Sequence, residues 1–234
     1  MVGVSVMTSR HDYIDHVQFN LARVHDRISD AGGNPDRVTL IAVTKEQPAE
    51  AVDAALALGL IDVGENRADA LIDRAAAHAS EEARWHYLGQ IQRNKIRRAA
   101  PYVALWQSVD RAEVGAAIAR HVPDARVLVQ VNLTDDPQRG GAAIDDVPPL
   151  VRDLVADGLD VQGLMAVGPL GGSELARDGF TSVVRCADAL GLPIRSIGMS
   201  DDLEVAIECG STMVRVGAAL FGARPKATPS RHVN

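Results

Sequence analysis

A single (β/α)8 TIM barrel with an extra N-terminal helix is the α/β fold that this sequence predicts. Along its 234 residues, apolar segments of strand-like composition alternate with segments of helical periodicity. Eight strand-like segments occur, and eight parallel strands close a sheet into a barrel. Hydrophobic residues make up 47% of the chain, enough for a large core. An open, doubly wound sheet is the alternative, although no Gly-x-Gly-x-x-Gly turn follows the first strand.

The first predicted element is a polar helix over Arg10–Ala31, ahead of the first strand. That strand is mostly apolar and ends at Lys45, and an apolar run of this kind is typical of a strand that is buried on both faces. The later strands share this apolar character, and each is separated from the next by a helical pattern. They are predicted at Ile61–Asn66, Arg84–Gln90, Ala104–Asp110, Arg126–Leu133, Val161–Val167, Pro193–Ser200 and Met213–Phe221.

Start and stop signals support the predicted helices. Pro48 stands near the first position of one helix, and Asp110 precedes another as a capping residue. Gly59, Gly158 and Gly191 follow helix ends, where a left-handed residue is favoured. The helices are predicted at Pro48–Leu58, Arg67–His78, Asn94–Ala100, Arg111–His121, Asp145–Ala156, Ser173–Leu190 and Asp201–Cys209.

The chain is predicted to form one domain, because no linker-like or low-complexity segment interrupts it. We expect the barrel to occupy residues 10–224, with a flexible N-terminus at 1–9 and a flexible tail at 225–234. A polar loop is expected at Thr134–Gly141.

Composition argues against two classes of partner. The net charge of −7 argues against nucleic acid, and the basic cluster in residues 93–98 is interpreted as a solvated helix face. No apolar stretch approaches the length that a bilayer requires, so a membrane partner is not expected. Cys186 and Cys209 lie within predicted helices and indicate reduced thiols, which favours a cytoplasmic location.

In a barrel, the carboxyl ends of the strands converge on one mouth, where active sites lie. These ends carry a polar ring with one primary amine and one guanidinium. It has no histidine pair at metal-ligand spacing and no Ser-His-Asp arrangement, so neither a metal site nor a catalytic residue is predicted. The ring is formed by Lys45, Glu65, Asn66, His86, Gly89, Ser108, Asn132, Met165, Met199, Ser200, Arg215 and Gly217.

Lys45 has two interpretations. A lysine at the end of an apolar strand can extend its ammonium to water, and it can also attack an aldehyde as the neutral amine. The second interpretation gains support from Ser200, which precedes a helix and can donate to a phosphate, and from Gly217, which permits close backbone approach. An ordinary helix cap at Ser200 and a packing glycine at Gly217 are the alternatives.

Seven sequence motifs carry a resemblance to a known family. They are AVTK, GENR, WHYLGQIQRNK, SVDR, QVN, GLMAV and GMSDDLEVAIECGSTMVRVGAALFG, and they extend in order from Ala42 to Gly222. On these motifs the chain resembles the YggS/PROSC family of pyridoxal-phosphate-binding proteins, relatives of the barrel domain of bacterial alanine racemase. The resemblance covers almost the whole chain and implies a (β/α)8 barrel with an added N-terminal helix.

The resemblance also implies a site. Pyridoxal 5'-phosphate (PLP) is expected as a Schiff base on Lys45, its phosphate held by Ser200 and the backbone around Gly217, and its pyridine nitrogen facing Arg215. Without the resemblance, the favoured interpretation of Arg215 is a structural charge paired with an acid such as Glu208. The remaining residues of the predicted cofactor site are Asn66, His86 and Met199.

Two segments depart from the family pattern. Where many relatives continue the GENR motif with Val-Gln-Glu, this chain has Ala68-Asp69-Ala70. Where many carry Lys-x-Gly after the fifth strand, it has Arg139-Gly140-Gly141. Both are expected at the mouth, where they affect ligand access or partner contact and leave the lysine unchanged.

Three functions compete at this stage. The favoured one is a cytoplasmic, monomeric PLP carrier in PLP homeostasis, with PLP-dependent apoenzymes as partners and without robust turnover. A PLP-dependent amino-acid racemase needs a second acid–base group, which is a tyrosine in the racemase relatives. Tyr13 and Tyr102 lie outside the strand ends, and Tyr87 alternates away from His86 on its strand. A lysine-dependent aldolase without cofactor leaves the motifs around Ser200 and Arg215 unexplained.

Overall fold

The computed structural model describes residues 10–79, 82–134, 136, 139–169 and 173–223. The two termini that the sequence predicts to be flexible, 1–9 and 225–234, lie outside the described residues.

Eight parallel strands form a closed barrel, in which each strand pairs with the next along the chain and the eighth pairs with the first. This confirms the predicted fold. The strands are β1 (Thr39–Val43), β2 (Asp62–Glu65), β3 (Arg84–Tyr87), β4 (Val103–Val109), β5 (Arg126–Val131), β6 (Asp160–Ala166), β7 (Ile194–Ser196) and β8 (Met213–Val216).

Helices cover the outside of the barrel. The extra helix α1 (Arg10–Asp30) is present as predicted, and it buries Val17, Val24 and Ile28. They pack against the barrel flank formed by α2 (Glu50–Ala57), α8 (Leu203–Glu208) and α9 (Ala218–Phe221). None of the helices in the described ranges is long and apolar enough to cross a membrane. The helices are α1 (Arg10–Asp30), α2 (Glu50–Ala57), α3 (Ala68–Ala77), α4 (Arg93–Ala99), α5 (Ala112–Ala119), α6 (Val147–Ala156), α7 (Arg177–Ala189), α8 (Leu203–Glu208) and α9 (Ala218–Phe221).

The last two strands are shorter than the sequence predicts. The predicted strand Met213–Phe221 ends at Val216, and its second half is helix α9, where the Phe221 N–H donates to the carbonyl of Gly217. The predicted strand Pro193–Ser200 has only three residues in extended pairing, because Gly198 adopts a positive φ of 99°. Both corrections place the Gly-rich segments in turns at the mouth.

The barrel interior combines an aliphatic layer with buried polar groups. Six apolar side chains form the layer: Ile41, Val43, Leu105, Leu128, Met165 and Met213. His86, Gln107 and Ser196 are also buried inside the barrel. Because burying a polar group without a hydrogen bond is unfavourable, their bonding partners matter for the site above them.

Candidate functional site

A cavity of about 400 Å³ opens at the carboxyl ends of the strands. Two larger depressions, of about 530 and 550 Å³, lie elsewhere on the chain and have no lysine among the residues that line them. Six of the seven predicted site residues line the mouth cavity, and His86 does not. The residues that line the mouth cavity are Val43, Lys45, Gln47, Asn66, Leu88, Met165, Val167, Met199, Ser200, Asp201, Arg215, Gly217 and Ala218.

Lys45 lies in a tight turn directly after β1. The Thr44 N–H donates to the carbonyl of Gly64 in β2, and the Gln47 N–H donates back to the carbonyl of Thr44, which closes the turn. Glu46, the residue after the lysine, has a φ of 59°, in the left-handed region. A non-glycine residue held there costs roughly 1–3 kcal/mol, so the surrounding structure imposes the direction in which the chain leaves Lys45.

A buried ion pair holds this turn from below. Glu65, at the end of β2, is 1% exposed, accepts a bond of 2.7 Å from the Thr44 hydroxyl and lies 3.3 Å from the Arg74 guanidinium. Arg74 also donates to the carbonyl of Gln47 at 2.6 Å. Burial raises the pKa of Glu65, and the Thr44 bond and the charges of Arg74 and Lys45 offset this only in part. The pair therefore ties both ends of the turn that carries the lysine.

Ser200 lies in a turn that two neighbouring hydrogen bonds shape. The Met199 N–H donates to the Asp202 carboxylate at 2.6 Å, and the Ala219 N–H donates to the Ser200 Oγ at 3.2 Å. Ser200 is therefore not the cap of α8, the helix that follows it, because Asp202 holds that position; its hydroxyl instead accepts from the first turn of α9. The same hydroxyl keeps its own hydrogen for a ligand, because an oxygen that accepts can also donate.

We expect Gly198→Ala to lower the free energy of unfolding by roughly 2–4 kcal/mol, because left-handed strain and overpacking add. A Cβ at Gly198 meets the Ala206 Cβ at 2.5 Å. Gly59 is the matched control, since it also has a positive φ (77°) but nothing within 4 Å of an added Cβ. Gly59→Ala should cost about 1 kcal/mol. Urea denaturation of both variants checks this, and equal losses would contradict the packing argument.

Gly217 follows β8 and lines the cavity. A Cβ there would lie 3.2 Å from the Val43 carbonyl oxygen, a close contact with the backbone of β1. Its own carbonyl accepts from the N–H groups of Leu220 and Phe221 at the start of α9. The close contact supports the packing alternative for Gly217, and its role toward a ligand stays a prediction.

Arg215 is 5% exposed and is held by three hydrogen bonds. It donates to the Ser196 carbonyl at 2.6 Å, to the Ser196 hydroxyl at 2.8 Å and to the Ala166 carbonyl at 2.8 Å. Burial lowers the pKa of Arg215 to about 10, against the opposing charge of Asp202. The guanidinium therefore stays charged at neutral pH.

The alternative partner for Arg215 is engaged elsewhere. Glu208 forms an ion pair of 2.7 Å with Arg177 on α7, outside the barrel. Arg215 is thus not the structural partner of Glu208, and it lines the cavity instead.

His86 lies lower in the barrel than the sequence predicts. Its Nε2 is 2.9 Å from the carboxylate of Asp62, and its Nδ1 is 2.9 Å from the amide nitrogen of Gln107. Alternate strand residues face the same side, so Leu88, two positions further along the chain, takes the place at the cavity. His86 is therefore not among the residues that the structure brings together there.

The pairing of His86 with Asp62 predicts a pH dependence. Burial raises the pKa of Asp62, but the hydrogen bond from His86 and the charge and hydrogen bond of Arg84 outweigh burial and lower this pKa overall. A lowered folded-state pKa contributes stability above the unfolded pKa of about 3.9 and loses it as pH falls through the folded value. We expect wild type to exceed Asp62→Asn in unfolding free energy above about pH 5, with the gap closing at lower pH. Urea denaturation at several pH values measures it; a constant gap would contradict the linkage.

No tyrosine reaches the cavity. All three tyrosines of the chain lie in described residues, and none is part of the cavity lining. Tyr87 stacks on Trp106 with ring centroids 5.5 Å apart, in the layer outside the strands. Tyr13 lies on α1, and burial raises its pKa to about 12.

The two segments that depart from the family pattern are also absent from the cavity lining. Asp69 pairs with Lys95 at 3.0 Å and with Arg98 at 3.1 Å, which agrees with a solvated basic face on α4. Arg139 donates to the carbonyl of Gly168 at 3.1 Å. Among the described residues, no group of three or more His, Cys, Asp or Glu side chains could hold a metal ion.

A closed barrel with an N-terminal flanking helix and a lysine in the turn after β1 defines the class, a barrel of the alanine racemase type. The family described as alanine racemase, N-terminal domain, matches residues 14–225. Pyridoxal phosphate homeostasis proteins are similar over most of their length: that of Pseudomonas aeruginosa is 37% identical over 217 residues (89% of this chain, 94% of that protein). That of Escherichia coli K12 is 34% identical over 233 residues (90% and 98%). The chain belongs to the pyridoxal phosphate homeostasis protein family.

Solved structures agree with this assignment. PipY of Synechococcus elongatus without PLP has a TM-score of 0.80 and 30% identity, covering 88% of this chain and all of that one (100%). PipY with PLP bound has a TM-score of 0.74 and 29% identity, covering 85% and 100%.

Sequence reasoning missed three parts of the site. Leu88 and Val167 come directly after strand ends and form apolar walls of the cavity. The strand-end positions could have indicated them, because the carboxyl ends of the strands meet at the mouth. Arg74 is on a helix, and only its ion pair with Glu65 connects it to the turn of Lys45. The sequence carried no signal for that pair.

Proposed function

We propose that this chain binds pyridoxal 5'-phosphate as a Schiff base on Lys45 and serves in intracellular PLP homeostasis or carriage, without robust catalytic turnover. One observation carries the proposal: a single cavity combines the amine of Lys45 with Ser200, Gly217 and Arg215. The names of the relatives and the PLP-bound structure of PipY support it.

The residues of the cavity fit the cofactor in size and in chemistry. Its volume of about 400 Å³ lies in the range of small-ligand sites. Leu88, Met165 and Val167 supply apolar walls for a flat ring. The Ser200 hydroxyl and the backbone at Gly217, both in the cavity lining, would supply a place for phosphate oxygens. Asn66 and Met199 are the other predicted residues that line the cavity. His86 lies deeper in the barrel, and we propose that it supports the site without touching the cofactor.

PLP supplies an electrophilic aldehyde and a ring that can accept electrons. Lys45 would hold the cofactor through its amine, which is placed by a turn that Glu65 and Arg74 fix. Arg215 is a permanent donor at neutral pH and keeps a facing ring nitrogen unprotonated. An unprotonated ring withdraws electrons weakly, which favours binding over carbanion chemistry.

The alternative function is a PLP-dependent amino-acid racemase. Racemisation needs an acid–base group on each face of the substrate. Besides Lys45, the described lining contains Asp201 as its carboxylate and no tyrosine, histidine or cysteine. Asp201 is the candidate second group, and the names of the relatives favour carriage over racemisation.

We further propose that the carried cofactor passes to PLP-dependent apoenzymes in the cytoplasm and that the protein works as a monomer. The net charge of −7 disfavours nucleic acid as a partner. The proposed partner class would recognise the cofactor at the open mouth of the barrel.

Three measurements on the purified protein test the function. Added PLP should give a visible absorbance. Borohydride should then convert the bound PLP into a stable adduct, which peptide mass spectrometry should locate at Lys45. Mixing the loaded protein with an apo-aminotransferase should restore transaminase activity. A panel of single-enantiomer amino acids should show no sustained racemisation; steady turnover would establish the racemase instead, and failure to take up PLP would refute both.

A further inference from the structure

A continuous chain of hydrogen bonds crosses the barrel interior from Arg215 to the opposite mouth. Arg215 donates to the Ser196 hydroxyl at 2.8 Å, and that hydroxyl donates to the Gln107 Oε1 at 2.8 Å. The Gln107 Nε2 lies 2.9 Å from the His86 Nδ1, and the His86 Nε2 lies 2.9 Å from Asp62. All five residues are buried. Asp62 begins β2 and lines a depression at the amino-terminal end of the barrel, so the chain spans the interior from one end to the other.

Gln107 is the central member of this chain, and its amide has one favourable orientation. The residue is fully buried, so each of its polar atoms needs a partner. Its oxygen accepts from Ser196, and its nitrogen faces both His86 and the sulfur of Met213, at 3.4 Å. A sulfur accepts but does not donate, so the amide nitrogen belongs on that side.

This orientation sets the direction of every bond in the chain. The amide N–H donates to the His86 Nδ1, so the other ring nitrogen carries the hydrogen and donates to the carboxylate of Asp62. Each donor thus points away from Arg215 and toward Asp62. Bonds aligned in one direction polarise and strengthen one another, and this chain joins a buried cation to a buried carboxylate.

We propose that Gln107 is a positioning residue for Arg215. Through Ser196 it fixes the guanidinium plane, and Asp62 and His86 fix Gln107 in turn. Three of the five N–H groups of Arg215 are used by Ser196 and Ala166. Two N–H groups remain beyond these three bonds, and Arg215 lines the cavity. That the positioned guanidinium faces the pyridine nitrogen of PLP rests on the proposed function. That Gln107 positions the guanidinium does not.

The first test uses protein without PLP, so it is independent of the proposed function. A guanidinium held in one plane gives separate, slowly exchanging N–H signals in ¹⁵N NMR, which Arg215→Lys assigns by their loss. We expect Gln107→Leu and Ser196→Ala each to broaden or merge these signals. Leu128→Val is the matched control, because Leu128 is fully buried in the aliphatic layer and belongs to no bond of the chain. It should lower the thermal midpoint while leaving the signals resolved.

The second test adds the cofactor. We expect Gln107→Leu to change the visible spectrum of bound PLP and to weaken PLP binding about fivefold, the worth of one hydrogen bond, because Arg215 keeps its two carbonyl partners. Leu128→Val should match wild type in spectrum and affinity. Gln107→Glu keeps the acceptor for Ser196 and should restore resolved Arg215 signals.

The outcomes separate the two proposals. If wild type takes up no PLP but the Arg215 signals respond to Gln107 as expected, the proposed function fails and the positioning stands. If the signals in Gln107→Leu and Ser196→Ala are as sharp as in wild type, the positioning is overturned, whatever happens to PLP. Should Gln107→Leu fail to fold, the response of Ser196→Ala decides.

Discussion

Replacing Lys45 by alanine is expected to abolish the covalent uptake of PLP. Wild type at a PLP concentration 100 times the dissociation constant should gain about 2.7 kcal/mol in unfolding free energy, because a ligand that binds only the folded state stabilises it. Lys45→Ala should lose most of this gain, together with the visible absorbance and the borohydride-stable adduct. Thermal unfolding with and without PLP measures the gain, and absorbance measures the adduct.

The chain offers a matched control for this variant. It has only three lysines, Lys45, Lys95 and Lys226. Lys95 is on α4, pairs with Asp69 and does not line the cavity, so Lys95→Ala removes an amine of the same type from a different surface. It should bind PLP as wild type does. An adduct that persists in Lys45→Ala and disappears in Lys95→Ala would place the reactive amine elsewhere.

Lys45 and Arg215 could be predicted because their positions follow from the strands that carry them. Each lies at or near the carboxyl end of an apolar strand that the sequence pattern predicts. A closed parallel barrel brings the carboxyl ends of its strands to one mouth. Eight strands sufficed to place both residues at the same mouth, although they are 170 positions apart in the chain. Topology therefore carried most of the prediction of the site.

His86 shows where that reasoning stops. Strand alternation places it on the inner face, as predicted, but the depth of a residue inside a barrel depends on the stagger between neighbouring strands. β3 is paired so that His86 lies beside Gly64 and Leu105, with two more residues of the chain above it before the mouth. Stagger arises from packing between strands, and one sequence contains no local signal for it.

The same limit applies to the ion pair beneath Lys45. Glu65 could be placed at a strand end, but Arg74 comes from the helix that follows, and its direction depends on how α3 packs against β2. The left-handed backbone conformation of Glu46 could not be predicted either, because a glutamate in a sequence does not indicate a positive φ. Local strain and long-range pairing both require the assembled barrel.

Arg215→Glu is expected to have the largest effect on folding, a loss of roughly 3–5 kcal/mol in unfolding free energy, as for removal of one partner from a buried charged network. The new carboxylate would face the carbonyl oxygens of Ser196 and Ala166, which now receive hydrogen bonds, and would lie near the negative charge of Asp202. Urea denaturation measures the loss. Arg215→Met is the matched variant, since it removes the same bonds without adding a charge, and it should lose less.

The cofactor spectrum distinguishes the role of Arg215 in the site from its role in the fold. A carboxylate facing the pyridine nitrogen favours the protonated ring, whereas a guanidinium favours the unprotonated one. Arg215→Glu that remains folded in stabilising osmolyte should therefore shift the spectrum of bound PLP toward the protonated form, and Arg215→Met should shift it less. If both variants lose stability but keep the wild-type spectrum, Arg215 supports the barrel without facing the ring. In that case Arg215 places no restraint on carbanion chemistry, and the racemase assay becomes the deciding measurement.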